Sequence, residues 1–98
     1  MDIDIPEGEK IFALNDGIII SARNSKTYGN FVVYKTIDDY EITCGHLSKI
    51  FVKENSTIKK NDIVGLSGNT GLSTGPHLHF AIKYNNAFLD PRYLIILE

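Results

Sequence analysis

Residues 17–46, GIIISARNSKTYGNFVVYKTIDDYEITCGH, decide the fold. Three runs within them, GIIISA (17–22), NFVVYKT (30–36) and YEITCGH (40–46), are rich in β-branched and aromatic residues. Short polar segments, NSKTYG and IDD, separate the runs and carry turn-forming residues. No run repeats its apolar residues at helical spacing, so each reads as a strand. Upstream lies KIFAL (10–14), joined through Asn15-Asp16-Gly17. That tripeptide is a hairpin signal, because Asp and Gly tolerate positive φ. Downstream, KIFVKE (49–54), STIKKNDIVGLSG (56–68) and HLHFAIKY (77–84) continue the pattern. Asn85-Asn86 reads as a turn before the tail PRYLIILE, and Asp90-Pro91 as a turn closing the domain. The expected fold is all-β: one domain over residues 1–98, a small antiparallel β-sandwich or partly open barrel. Phe12, Leu14, Ile18, Ile20, Val32, Ile63, Leu66, Leu78, Phe80 and Ile82 are the expected core. Tyr28, Tyr34 and Tyr40 are expected on strand surfaces or a groove wall.

Bulk properties narrow the function. The net charge is −2 and no basic run exceeds Lys59-Lys60, which argues against nucleic acid as a partner. No stretch approaches the roughly 20 apolar residues of a membrane span. The opening MDIDIPEGEK is acidic and polar, unlike a secretory signal, so the expectation is a cytosolic chain or one exported by another route. A single cysteine, Cys44, forms no internal disulfide and reads as a small apolar strand residue rather than a thiol nucleophile. GLSGNTGLSTGP (65–76) is glycine-dense, but a strand follows it and it holds no lysine, so it is not a phosphate loop. It reads as a tight turn that delivers the next strand to a groove edge.

Chemistry concentrates in the histidines. His77 and His79 are two apart in a strand, so they share a face, about 6.5 Å apart along the chain. A solvated pair is the bland reading of that spacing. His46 ends the YEITCGH strand beside a turn, where a side chain can enter a groove. If these strands are neighbours, the three imidazoles converge. A catalytic zinc takes about three protein ligands, lowers the pKa of a bound water toward ~7 and polarises the scissile carbonyl. A nearby histidine then manages the proton or the oxyanion. Asp2, Asp4, Asp38, Asp39, Asp62 and Asp90 are candidate carboxylate ligands, and spacing does not choose among them.

The chain resembles the lysostaphin/LytM-type zinc endopeptidases that cut peptidoglycan cross-links. DIDIPEGEKIFALNDGIII is similar to the family's opening Asp-containing strand and the run after it. YGNFVVYK resembles its YGN-x-V-x-I strand. CGHLSKIFVKENSTIKKNDIVGLSGNTGLSTGPHLHFAI is similar to its H-L-S segment, glycine-spaced run and S-T-G-P-H-L-H-F end. The resemblance implies a small antiparallel β structure with an open groove, one zinc ion, and a peptidoglycan or other short peptide as substrate, hence a cell-wall or extracellular location. Position by position it implies Asp4 and His79 as zinc ligands and His46 and His77 as the catalytic pair. The family's first ligand histidine, four residues ahead of its aspartate, falls before Met1. The expectations are therefore a trimmed or late-started chain, a degenerate domain, or a substitute ligand such as the Met1 amine, Asp2 or a residue of another chain. Cys44 stands where the family usually has Tyr. Two functions follow: a zinc endopeptidase of bacterial cell wall, or an inactive peptidase-like module binding wall peptide or a partner in envelope, sporulation or phage assembly. VKENSTIKKNDIVG (52–65) also resembles a pattern of biotinyl/lipoyl carriers and sugar-phosphotransferase domains, but no carrier lysine at a hairpin tip is evident.

Overall fold

A computed structural model describes the backbone of residues 2–3, 6–68, 78–84 and 87–89, and the side chains of residues 6–68 and 80–84. The described residues form nine strands and no helix: β1 (Asp2–Ile3), β2 (Lys10–Phe12), β3 (Gly17–Ser25), β4 (Gly29–Thr36), β5 (Tyr40–Ile50), β6 (Thr57–Ile58), β7 (Ile63–Ser67), β8 (Leu78–Tyr84) and β9 (Ala87–Leu89). All pairs are antiparallel, in one curled half-barrel sheet with the path β1-β8-β5-β4-β3-β6. Among the described residues no helix is long and apolar enough to cross a membrane.

The 11-residue β5 pairs with three strands. One edge pairs with β4. The other edge divides: Tyr40–Gly45 pair with β8, and Leu47–Ile50 with β7. Gly65 makes the β7 branch possible. A Cβ there would overlap the Lys49 carbonyl oxygen, so only glycine lets the two backbones lie this close. KIFVKE is not a strand of its own. Its first two residues finish β5, and the loop after them is pinned by Phe51 N–H to the Val64 carbonyl at 3.0 Å and by Asn55 N–H to the Ile19 carbonyl at 2.8 Å. Nor do Asn15-Asp16-Gly17 form a hairpin, because β2 pairs with β7 while β3 pairs with β4 and β6. They form a corner. The Asp16 carboxylate accepts from Lys60 N–H at 2.8 Å, and its carbonyl accepts from Ile37 N–H at 2.9 Å. After β8 the chain returns as β9 with Tyr84 opposite Ala87, a strand the sequence reading missed. The expected turn residues Asn85 and Asn86 lie outside the described residues, as do residues 69–77 and Asp90-Pro91.

The core is Ala13, Ile19, Val32, Tyr34, Ile42, Cys44, Leu47, Ile58, Val64, Phe80 and Ile82. Burying each large aliphatic or aromatic side chain contributes about 1.5–3 kcal/mol. Val32, Phe80 and Ile82 were expected there. Ile18, Ile20 and Phe12 were too, yet they are 53, 44 and 49% exposed. Three successive isoleucines hide the parity of β3, and pairing with β4 turns Ile19 inward instead. Leu14, Ile63 and Leu66 are half-buried, and the Leu78 side chain lies outside the described residues. Tyr34, expected at the surface, is fully buried, and its hydroxyl accepts from Leu14 N–H at 3.2 Å. That bond satisfies the one polar atom the ring carries into the core.

The face assignment of β3 is checked by a pair of variants. Ile19→Ala lowers stability by about 2–5 kcal/mol, whereas Ile18→Ala changes it by less than about 1 kcal/mol. Urea unfolding followed by circular dichroism measures both; equal losses contradict the register.

Candidate active site

His46 sits at the division of β5. Its neighbours in the chain pair in different directions, Gly45 with His79 of β8 and Leu47 with Ser67 of β7. On the opposite edge Val32 pairs with Cys44 but Asn30 with Leu47, so β5 spends one residue more than β4. This is a β-bulge, and bulges bend a strand and re-aim a side chain. His46 takes the left-handed conformation that the bulge requires, with φ 59°. Histidine is among the few non-glycine residues enriched there. Its N–H donates to the Tyr28 carbonyl at 2.6 Å, and the residue is 5% exposed. The bulge interrupts the alternation of β5: Gly45, His46 and Leu47 are all buried.

Two more strands bring candidate residues to this point. In β8, His79 is opposite Gly45; in β1, Asp2 is opposite His79 and Ile3 opposite Leu78. Asp4 and His77 come next in their chains and lie outside the described residues, as do the side chains of Asp2 and His79. Among the described residues, no three His, Cys, Asp or Glu gather as a metal-binding group. Asp38, Asp39 and Asp62 serve turns, and Asp90 lies outside the described residues. Asp38 accepts from Thr36 Oγ1 at 2.6 Å, Asp39 lies 4.0 Å from the Lys35 amino group, and Asp62 accepts from Lys59 N–H at 2.9 Å.

Strand alternation puts a groove on the sheet face opposite the core. Val32 and Tyr34, Ile42 and Cys44, and Phe80 and Ile82 face inward. Phe31 and Val33, Glu41 and Thr43, and Ala81 and Lys83 have the other parity and line a groove of about 410 Å³. Tyr28, expected on a groove wall, lines it and meets the Phe31 ring edge-on, with centroids 6.2 Å apart. Position 79 has the parity of Ala81 and Lys83. Asn30 is a brace. Its Nδ2 donates to the Leu47 carbonyl at 3.0 Å, and its Oδ1 accepts from Asn24 at 2.9 Å. The sequence reading missed the groove floor, which the parity opposite the core would have marked.

Cys44 is not part of this chemistry. It is fully buried, and desolvation pushes its thiol up to about 12, so no thiolate is available as ligand or nucleophile near neutral pH. Burial also raises the Tyr34 phenol.

A model of peptidase family M23 matches residues 1–91. The chain belongs to peptidase family M23. Among curated M23 relatives, the peptidoglycan DD-endopeptidase ShyA of Vibrio cholerae is 40% identical over 81 residues, which is 83% of this chain and 19% of that protein. An uncharacterised metalloprotease of Buchnera aphidicola is 38% identical over 94 residues, 96% of this chain and 25% of that one. The chain thus spans about a fifth to a quarter of the length of these relatives. Among solved structures, the catalytic domain of lysostaphin from Staphylococcus simulans is 33% identical with a TM-score of 0.86, covering 97% of this chain and 76% of that one. A zinc-containing peptidase from V. cholerae is 35% identical with a TM-score of 0.85, covering 91% and 28%. The all-β half-barrel is the fold of lysostaphin-type M23 peptidases.

Two outcomes test this description of the M23 site. At position 46, asparagine tolerates the left-handed backbone and a β-branched residue does not. His46→Val therefore unfolds at lower urea than His46→Asn, by about 1–2 kcal/mol. The second outcome concerns pH. The thiol of Cys44 ionises near 9.0 when unfolded and near about 12 when folded, so the unfolded chain releases its proton first. Stability from this group is intact below about pH 9 and falls up to about pH 12, at no more than ~1.4 kcal/mol per pH unit. Tyr34 acts in the same direction. Urea midpoints of wild type and Cys44→Ala across pH 8–11 converge if this holds.

Proposed function

We propose that this M23 chain is a zinc metalloendopeptidase domain that hydrolyses peptide cross-links of peptidoglycan. Asp4 and His79 are its metal ligands, and His46 and His77 its catalytic pair. The observation that carries the reading is the backbone register across three adjacent strands. It brings Asp2–Ile3, Leu78–His79 and Gly45 side by side, two strand positions from Thr43 and Ala81, which line an open groove on the uncovered sheet face. Further support comes from relatives named as peptidoglycan DD-endopeptidases and from a related peptidase described as containing zinc.

The donor types suit zinc. A carboxylate oxygen and an imidazole nitrogen are ordinary zinc ligands, and the thiol of Cys44 is held protonated and buried. When bound, the metal supplies an activated water and a polarised carbonyl. The rest falls to the chain. His46, fixed by its bulge and its backbone bond to Tyr28, is a preorganised proton acceptor or oxyanion donor. His77, two residues from His79, is the second such group. The groove orients an extended peptide and, with Tyr28 and Phe31, shields one flank from water.

The reading is tested with the chain carrying a histidine four residues ahead of Asp4, the spacing the family resemblance implies. Dialysed protein is expected to retain about one equivalent of zinc and to cleave cross-linked muropeptides. Asp4→Ala or His79→Ala lowers zinc content. His46→Ala and His77→Ala retain zinc and lose roughly 10²–10⁴-fold in cleavage rate. Elemental analysis and chromatography of the digest supply both readouts. Full activity in His46→Ala removes the proposal.

A further inference from the structure

The uncovered face of the sheet is laid out in cross-strand rows, two residues apart along each strand. The first row holds position 79, opposite Gly45, with Phe31 across the bulge. The second holds Ala81, opposite Thr43, which is opposite Val33. The third holds Lys83, opposite Glu41, which is opposite Lys35. Successive rows are about 6.5 Å apart along a strand. An extended peptide repeats the side chains of one face at the same interval. A peptide lying along these strands with one side chain at the first row therefore sets its next like-facing side chain on the second.

The residues of each row decide what it accepts. The third row alternates in charge, a carboxylate in register between two lysines, and an apolar side chain gains nothing there. The second row is uncharged. Val33, Thr43 and Ala81 all line the groove and are half-buried. Val33 and Thr43 branch at Cβ and stand up from the floor, whereas Ala81 stops at Cβ. The row is thus lowest over Ala81, and Thr43 is the wall beside that hollow. The hollow is apolar and short, because Lys83 follows two residues along the same strand. It fits an aliphatic side chain of the size of alanine or valine. A longer one runs into the charged row.

We propose that Thr43 is a specificity-determining residue, which limits the peptide side chain seated over Ala81, one row from position 79, to a small aliphatic group. The proposal rests on the peptidase reading only for what the peptide is. Thr43 touches substrate but not the reacting atoms, so it selects which peptides are held.

The test uses capped five-residue glycine peptides, unmodified or with alanine, valine or leucine at the second or the fourth position. Dissociation constants come from titrations followed by NMR, with a chelator present so that no peptide is cut. At one of the two positions, wild type is expected to bind the alanine and valine peptides roughly fourfold more tightly than the all-glycine peptide, and the leucine peptide no more tightly. Thr43→Ala opens the hollow and moves the optimum to leucine. Thr43→Leu fills it and removes the gain from alanine and valine. Thermal melts establish that both variants are folded. Equal binding of all the peptides by wild type, a leucine optimum in wild type, a ranking unchanged in both variants, or no binding of any peptide overturns the assignment. Muropeptide cleavage is measured in parallel with the histidine-extended chain. Size selection without cleavage counts against the peptidase reading and leaves Thr43 standing. Cleavage without size selection counts against Thr43 alone.

Discussion

The pairing of Gly45 with His79 fixes this molecule. It sets the register of β8 against β5, and through β8 the register of β1. A slip of one residue would exchange the faces of β8, bringing Ala81 and Lys83 into the core and Phe80 and Ile82 into the groove. Burial of Phe80 and Ile82 therefore holds the candidate catalytic strand in place. The same apolar contacts that stabilise the domain specify where position 79 stands.

A single sheet thus does two jobs with its two faces. One covers a core built from Val32, Tyr34, Ile42 and Cys44, where the buried polar groups are either hydrogen-bonded or, as with the Cys44 thiol, held protonated by desolvation. The other is left open, with small and polar residues as a floor. His46 stands at the join. The strand can serve β8 and then β7 only by changing direction, and the bulge is where it does so. The left-handed backbone of His46 costs free energy that the surrounding ladders offset.

Much of this was legible in the sequence. β-branched and aromatic runs between turn residues marked β3, β4, β5 and β8, and the ordered H-L-S and H-L-H-F segments marked the family. What failed had physical causes. The triple isoleucine 18–20 carries no alternation, so its inward residue is decided by strand pairing. Tyr34 has a hydroxyl, which suggested a surface, but a backbone N–H twenty residues away meets it. Asn15-Asp16-Gly17 has hairpin chemistry, yet the strands it joins find other partners, because long-range pairing outweighs a local turn preference. Of the candidate site residues, His46 and His79 lie on neighbouring strands, with Gly45 opposite His79. Asp4 and His77 lie outside the described residues.

The groove floor escaped notice for a related reason. Val33, Thr43 and Ala81 are unremarkable one at a time, and only a register makes a row of them. Function here comes less from rare residues than from parity: every second position of β4, β5 and β8 is committed to the core, which releases the alternate set. The constraint also limits how such a site can vary. Replacing a floor residue alters the groove without touching the core, whereas replacing an inward neighbour disturbs both. The groove lining is thus free to change at positions such as 33 and 43, while positions 42 and 44 remain bound to the fold.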